Sequence, residues 1–471
     1  MTFLHPLCEP FFDMPLADLD SRIVKCGTQL FACIQNRKPL LFNKAQWMGR
    51  LMDWSMRNDL FKAALFRFVD VFPVLKSRES LMRHVREYFI EGEAETPSFM
   101  KWGIRMASYG GFVGDEILNG IIKFSVRSMA EQFIIGENSV QAMKAIEGLR
   151  KRGFAFTLDI LGEATITEEE AKQYELVYFE LLENLEKTQR YWTALPAHGM
   201  SFDFNKDWGY SPFSQISVKI TGLYSQIRPV DFENSVQSVL GPLKKIYRKV
   251  IQMEGSLCID MESSQYKSMT LEIFKRLRAD PEFRHYVHLG VAIQAYLRDT
   301  PKDLEALIDW AKCNALPIEI RLVKGAYWDY EVAIARQHNW TPAVLTEKKE
   351  TDAAFEALAR MILENYEVCY LACGSHNVRS VSAVIEIAKE LKVPEMAYEF
   401  QVLYGMAEPI RNALRDFVGR VRLYCPYGEM IPGMAYLVRR LLENTANESF
   451  LRQSFVEGVD VKTLLMNPKN N

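Results

Sequence analysis

The chain has 471 residues, 48% hydrophobic and 25% charged, which is long enough for a large core and for more than one domain. That hydrophobic share excludes a largely disordered chain. The 57 Lys plus Arg against 60 Asp plus Glu leave a formal net charge of −3, without the basic excess that nucleic-acid binding calls for. The eight cysteines form no CxxC pair and, in so long a chain, do not read as disulfide staples. The N-terminus lacks the basic region of a secretory signal, and no apolar run reaches the ~18 residues of a membrane helix. A cytoplasmic location is expected, with a peripheral contact at the inner membrane left open.

Residues 1–150 read as an all-α region. Asn43 can cap a run in which Trp47, Leu51, Trp54 and Met56 recur at roughly helical spacing, and further helical stretches lie near 76–92 and 115–136. Gly110, Gly111 and Gly114 do not spell GxGxxG and follow no strand, so they read as a turn.

From residue 151 to 471 the texture changes and repeats. Short β-rich runs appear as FAFTLDIL at 154, ISVKI at 216, SLCIDM at 256, LGVAIQAY at 289, IEIRLVKG at 318, VCYLACGSH at 368, MAYEFQVL at 396 and VRLYCP at 421. Amphipathic helical segments such as KDLEALIDWAKC separate them. Eight strand–helix units in this space predict an α/β fold of the (βα)8, TIM-barrel type. Cys369 and Cys373 fall in one of these runs and read as packed strand thiols.

Side chains alternate across a strand. One face carries Asp159, Lys219, Asp260, Gln294, Arg321, Glu399 and Tyr424, while neighbours such as Val218, Ile259, Ile293, Ile320, Leu322 and Phe400 are apolar. The polar set is expected to converge inside the barrel near the carboxyl ends of the strands, where barrel active sites lie. A few mutually paired interior charges are the bland alternative, since buried charges need partners.

Several chemistries fit poorly. Of seven histidines only His376 falls at a strand end, and His285 and His288 precede a strand in an ordinary loop, so no zinc set is expected and no metal is assigned. There is no GxSxG elbow and no Cys with an evident His partner. A mixed-charge mouth with Arg321 and Lys219 suits a flat, anionic cofactor whose electronics nearby charge can tune.

Five segments carry a resemblance: LDILGEA at 158–164, CIDMES at 258–263, RLVKGAYWD at 321–329, YEFQVLYGM at 398–406 and YLVRRLLEN at 436–444. In this order they resemble the proline dehydrogenase module of PutA-type proteins, strongly over about 150–455. The preceding helical region, with LFRFVDVFPVL, is similar to the arm and helical domain before that barrel. The resemblance implies an FAD-dependent barrel with its eighth helix near the mouth. It also implies oxidation of L-proline to Δ1-pyrroline-5-carboxylate, hydride passing to flavin N5 and electrons then to a quinone at a membrane surface.

The resemblance also implies roles. Arg321, Lys219 and Asp260 would be catalytic. Gln294, Arg321, Val323, Lys324, Gly325, Ala326, Trp328, Thr346, Lys348, Ser375, His376, Asn377 and Glu399 would hold FAD. Lys219, Asp260, Tyr327, Leu403, Tyr424, Arg439, Arg440 and Glu443 would bind proline, with adjacent arginines supplying bidentate partners for its carboxylate. Glu163 would face Arg439 as a gate.

The chain departs from the family in reading YGEMIPGMA after the eighth strand, and in having Tyr404 where His is common. No ribbon-helix-helix DNA-binding module is recognisable. The chain is expected to be either a separate enzyme or the front part of a bifunctional one, working with a pyrroline-5-carboxylate (glutamate-semialdehyde) dehydrogenase as a domain or a partner. The alternative is a catalytically silent barrel that binds an amino acid or scaffolds a partner dehydrogenase. Intact Arg321, Tyr424, Arg439 and Arg440 favour the enzyme.

Overall fold

A computed structural model describes residues 18–35, 64, 68, 71, 75, 77–91, 133–162, 165–196, 206–406, 408–429 and 460–469. Eight strands form a closed, all-parallel barrel in sequence order. They are β1 (Ala155–Ile160), β2 (Gln215–Val218), β3 (Ser256–Ile259), β4 (Leu289–Gln294), β5 (Ile318–Val323), β6 (Cys369–Gly374), β7 (Tyr398–Leu403) and β8 (Val421–Tyr427). Closure runs through β1 and β8, with Thr157 opposite Tyr424 and Asp159 opposite Pro426. Every β-rich run of the sequence became a strand.

Helices fill the crossovers, as parallel neighbours require. Thr167 and Glu170 form a capping box at the start of the helix Glu168–Gln189, and Asn377 caps Val378–Glu390 by accepting from the Ser380 N–H. β5 is followed by two helices, Trp328–Gln337 and Lys348–Leu363. The outward strand residues Val218, Ile259, Ile293, Ile320, Leu322 and Phe400 are buried against this helical shell in one continuous core. Cys369 and Cys373 are buried in β6, and burial pushes each thiol up to about 12.

The amino end of the barrel is plugged. Arg150, on the helix Ser139–Lys151, holds Asp207 through two hydrogen bonds of 2.7 and 2.8 Å. That fixes the loop before β2, on which Trp208 packs with Leu195 and Ala155 and Ser211 accepts from Arg422 at 2.6 Å.

Of the N-terminal helical expectations, Arg78–Arg86 forms with Ser77 as its cap and runs into a π-helical turn at Glu87–Glu91. The stretch after Asn43, the glycine cluster and all but 133–136 of the 115–136 stretch lie outside the described residues. The helix Leu19–Gln35 was not singled out in the sequence. It packs on the barrel helices Val378–Glu390 and Glu408–Val418, and its Asp20 pairs with Arg379 at 2.6 Å. Among the described residues no helix is long and apolar enough to cross a membrane.

Candidate active site

Arg321 is the hub of the barrel interior. It sits mid-strand on β5, buried, with Ala292 and Ala372 beside it in register on the two neighbouring strands. Those small residues leave room for the guanidinium. Its Nη1 donates to Asp260 Oδ1 and to Ser217 Oγ, both at 2.7 Å, and its Nε donates to Gln401 Oε1 at 2.8 Å. The guanidinium also lies 5.3 Å from the Tyr424 ring centroid, a cation–π contact.

Above this hub the groups converge on Asp260. Tyr424 donates its hydroxyl to Asp260 Oδ2 at 2.7 Å, and Lys219 Nζ stands 3.7 Å from the same oxygen. Lys219 also pairs with Asp159 on β1. Burial raises the Asp159 carboxyl, Lys219 pulls it back down and Asp260 raises it again, leaving it at about 6. The Tyr424 hydroxyl is held far above its ordinary range by burial and the two nearby carboxylates. Two carboxylates, two cations and a phenol from five strands therefore meet at the carboxyl end of the barrel.

Beside this cluster is an edge suited to an anionic cofactor. Gln294, at the end of β4, donates to the Met261 and Glu262 carbonyls at 3.2 Å. Its buried Oε1 has no hydrogen-bond partner among the described residues, an acceptor waiting for a donor. Lys324 and Lys348 share one carboxylate, Asp352, which leaves a surplus positive charge. Gly325 has φ +134°, and a Cβ there would lie 2.5 Å from the Tyr296 ring, so the backbone must stay bare. Trp328 is partly exposed and donates to the Leu345 carbonyl at 2.9 Å, tying the β5 exit to the segment bearing Thr346 and Lys348. Ser375, His376 and Asn377 lead into the helix Val378–Glu390. Asn377 N–H donates to Ser375 Oγ at 3.1 Å, and His376 Nε2 accepts from the Leu403 N–H at 2.9 Å. A helix amino end with positive surplus nearby favours phosphate groups. These residues fit FAD.

The structure thus brings together Asp159, Lys219, Asp260, Arg321 and Tyr424, with Leu403 opposite Tyr424 in register on β7. Val323, Ala326 and Tyr327 follow on the same exit from β5. Glu163, Arg439, Arg440 and Glu443, and with them the eighth-helix motif, lie outside the described residues.

Glu399 stands apart from this edge. Glu399, expected beside the cofactor, is the second residue of β7 and sits in the lower interior. Both its oxygens are taken by Arg422, at 2.7 and 3.0 Å, and it also accepts from Gln401 at 2.7 Å and Tyr370 at 3.1 Å. It has no valence to offer a ligand.

The sequence reading also missed Gln215, Ser217 and Gln401, which hold Arg321, and Glu319 and Arg422 beneath them. The signal was present as i, i+2 steps: Gln215–Ser217–Lys219, Glu319–Arg321 and Glu399–Gln401. No group of three or more His, Cys, Asp or Glu side chains that could hold a metal ion occurs among the described residues, His285 and His288 included. Burial holds His288 down at about 4, a neutral ring.

Comparison with known proteins places this geometry. Residues 142–453 match the family described as proline dehydrogenase, and residues 20–133 match the proline utilization A N-terminal domain. The bifunctional protein PutA of Escherichia coli is 29% identical over 365 residues, covering 76% of this chain and 26% of that protein. Proline dehydrogenase 1 of Bacillus subtilis is 26% identical over 334 residues, covering 71% of this chain and 93% of that protein. The crystal structure of proline utilization A from Bdellovibrio bacteriovorus inactivated by N-propargylglycine superposes with a TM-score of 0.84 at 39% identity, covering 96% of this chain and 44% of that one. The chain therefore spans about a quarter of the length of the curated PutA relatives and less than half of that solved chain. With about two thirds of its residues inside the family match, this chain belongs to the proline dehydrogenase family.

Proposed function

We propose that this chain oxidises L-proline to Δ1-pyrroline-5-carboxylate with FAD at the barrel mouth, the first step of proline breakdown. When bound, FAD would supply a two-electron acceptor for hydride at its N5, and a quinone at a membrane surface would be the onward acceptor. The observation that carries the reading is the Arg321–Asp260–Tyr424–Lys219 cluster at the carboxyl end of a proline-dehydrogenase barrel.

Each residue has work that follows from its chemistry. Arg321, fixed by Asp260, Ser217 and Gln401, presents a permanent cation beside the reacting ring, preorganised for negative charge as it develops. Lys324 and Lys348 would hold the pyrophosphate with their surplus charge, helped by the turn at Ser375–Asn377. Gln294 would accept from the flavin ring through its unused oxygen. Val323, Gly325, Ala326, Trp328 and Thr346 would line the rest of the cofactor. Arg439 and Arg440 would clamp the proline carboxylate, assisted by Glu443 and Lys219, while Tyr327, Leu403 and Tyr424 wall the ring. Glu163 would close over the site against Arg439. The product, an electrophilic imine, would pass to a pyrroline-5-carboxylate dehydrogenase as a further domain or separate protein, as the word bifunctional in the PutA relatives suggests.

The test is spectral. Protein purified with added FAD should show a flavin spectrum that bleaches anaerobically on adding L-proline. A protein that binds no flavin, or whose flavin stays oxidised with proline, is the silent barrel instead.

A further inference from the structure

Oxidation at the carbon beside the ring nitrogen needs a proton acceptor as well as a hydride acceptor. A proline ring nitrogen carries two protons in water, and one must leave before hydride can depart from the neighbouring carbon. No residue assigned so far is placed to keep that proton.

Asp159 is a buried carboxylate that the site has not used. It is 1% exposed, on β1 between Lys219 and the barrel wall. One oxygen holds the Lys219 ammonium, and Oδ2 has no hydrogen-bond partner among the described residues. Among the nearby phenols Tyr174 and Tyr178 are turned to other acceptors, and Tyr424, within reach of both carboxylates, gives its short hydrogen bond to Asp260. Tyr178 donates to the Ser217 carbonyl at 2.9 Å, Tyr174 to the Ile160 carbonyl at 2.9 Å, and Tyr424 to Asp260 at 2.7 Å. An anionic oxygen left without a donor inside a barrel is costly, and such a group calls for an explanation. Lys219 joins it to the mouth, touching Asp159 on one side and facing Asp260 on the other.

We infer that Asp159 is the proton-holding partner of Lys219: Asp159 takes a proton from the Lys219 ammonium, and the lone pair so freed on Lys219 takes the proton of the bound ring amine. This rests on the proline-oxidation reading. One N–H bond of the substrate breaks, one N–H bond on Lys219 forms while another breaks, and one O–H bond forms on Asp159. No electrons move in this step, so it is separate from the redox chemistry. Asp159 acts through Lys219 and is a positioning residue, not a catalytic one. A second observation agrees: burial and Asp260, against the pull of Lys219, raise its carboxyl to about 6, making it a better proton acceptor than an ordinary aspartate. The charged and titratable groups facing it are Lys219 from β2, Asp260 and Glu262 from the β3 exit, Tyr424 from β8, and Tyr174 and Tyr178 from the helix Glu168–Gln189. Tyr174, Tyr178 and Tyr424 are all held protonated by burial and by these carboxylates.

The experiment is the pH dependence of anaerobic flavin bleaching by L-proline in the wild-type holoenzyme and in Asp159→Asn. Wild type should lose rate as pH falls through about 6, where Asp159 protonates. Asp159→Asn should be slower at neutral pH by on the order of 10²-fold, the usual scale for a lost proton acceptor. It should also lack the inflection near 6 and recover as pH rises toward the titration of an aliphatic ammonium near ~10. Binding of tetrahydrofuran-2-carboxylate, which has a ring oxygen and no proton to lose, should stay within about threefold of wild type, because carboxylate and ring contacts are unchanged. A wild-type profile in Asp159→Asn, or equal losses of analogue binding and bleaching rate, would overturn the inference. If Asp159→Asn does not accumulate folded, the wild-type profile decides: a single inflection near ~10 and none near 6 overturns it. Wild-type flavin that does not bleach at all fails the proline reading, a separate outcome.

Discussion

The lower and upper halves of the barrel interior are both rich in charge, yet they are wired differently. In the lower half Arg422 donates to both oxygens of Glu399, to the Phe156 carbonyl and to Ser211, while Gln215 donates to Glu319 at 3.0 Å. That network also ties the plugging loop before β2 to the barrel. In the upper half Asp159 and Gln294 each keep a buried oxygen without a partner among the described residues, and two lysines share one carboxylate. Inward polar residues alone therefore do not mark a site. What sets the upper half apart is that its unpartnered atoms include a carboxylate and an amide oxygen, whereas those at the lower end are the Ser256 hydroxyl and the N–H groups of Trp208 and Arg150.

Breaking the lower pair should have the largest effect. Glu399→Leu strands the Arg422 guanidinium in the interior, and urea unfolding should show a loss of about 3–5 kcal/mol, with the proline KM of surviving enzyme close to wild type. Next comes the substrate clamp. Arg440→Met should leave flavin content intact and weaken proline by about 2–4 kcal/mol, read from steady-state kinetics; a normal KM would place the carboxylate elsewhere. Tyr424→Ser removes the ring wall and one donor to Asp260. It should cost proline about 1–2 kcal/mol in kcat/KM and narrow the preference over 4-hydroxyproline, because the extra oxygen is no longer excluded.

The smallest effect is a pH-dependent one. Burial and the Glu399 charge, offset in part by Arg422 and Arg321, raise Glu319 from 4.5 to about 7. An acid whose folded pKa exceeds its unfolded value binds more protons when folded, so its contribution to stability falls as pH rises through that window. Glu319→Gln imitates the neutral form. It should therefore stabilise the fold relative to wild type more at pH 8 than at pH 5, by about 1–2 kcal/mol between the two, read as a larger rise in Tm at the higher pH. An equal Tm difference at both pH values would mean that Glu319 ionises in the fold as easily as in the unfolded chain.

The sequence showed the strands and the face each residue takes more clearly than its height in the barrel. Every β-rich run contains the strand it announced, because two-residue alternation and β-branched residues report the pleat directly. Alternation cannot tell Glu399 from Leu403, since both point inward and differ only in position along β7. Height depends on strand tilt and stagger in the closed barrel, which no single strand encodes. Small residues carried part of that information: Gly290 lies opposite Glu319 on β4, where a Cβ would press within 3.1 Å of the Glu319 side chain. The Leu19–Gln35 helix was hard to place for a related reason. Its partner surface on Val378–Glu390 is more than three hundred residues away, and Asp20–Arg379 joins two charges that local spacing could not pair.

The contrast between the two layers is tested most directly by stopped-flow bleaching of the FAD-loaded enzyme with L-proline in two variants side by side, Arg321→Met from the upper layer and Glu319→Gln from the lower, each first shown to be folded. Arg321→Met should slow bleaching by on the order of 10²–10³-fold, the scale for removing a preorganised charge at a reacting centre, while Glu319→Gln stays within about threefold of wild type. Equal rates in the two variants, or a larger loss in Glu319→Gln, would contradict the assignment of the chemistry to the upper layer.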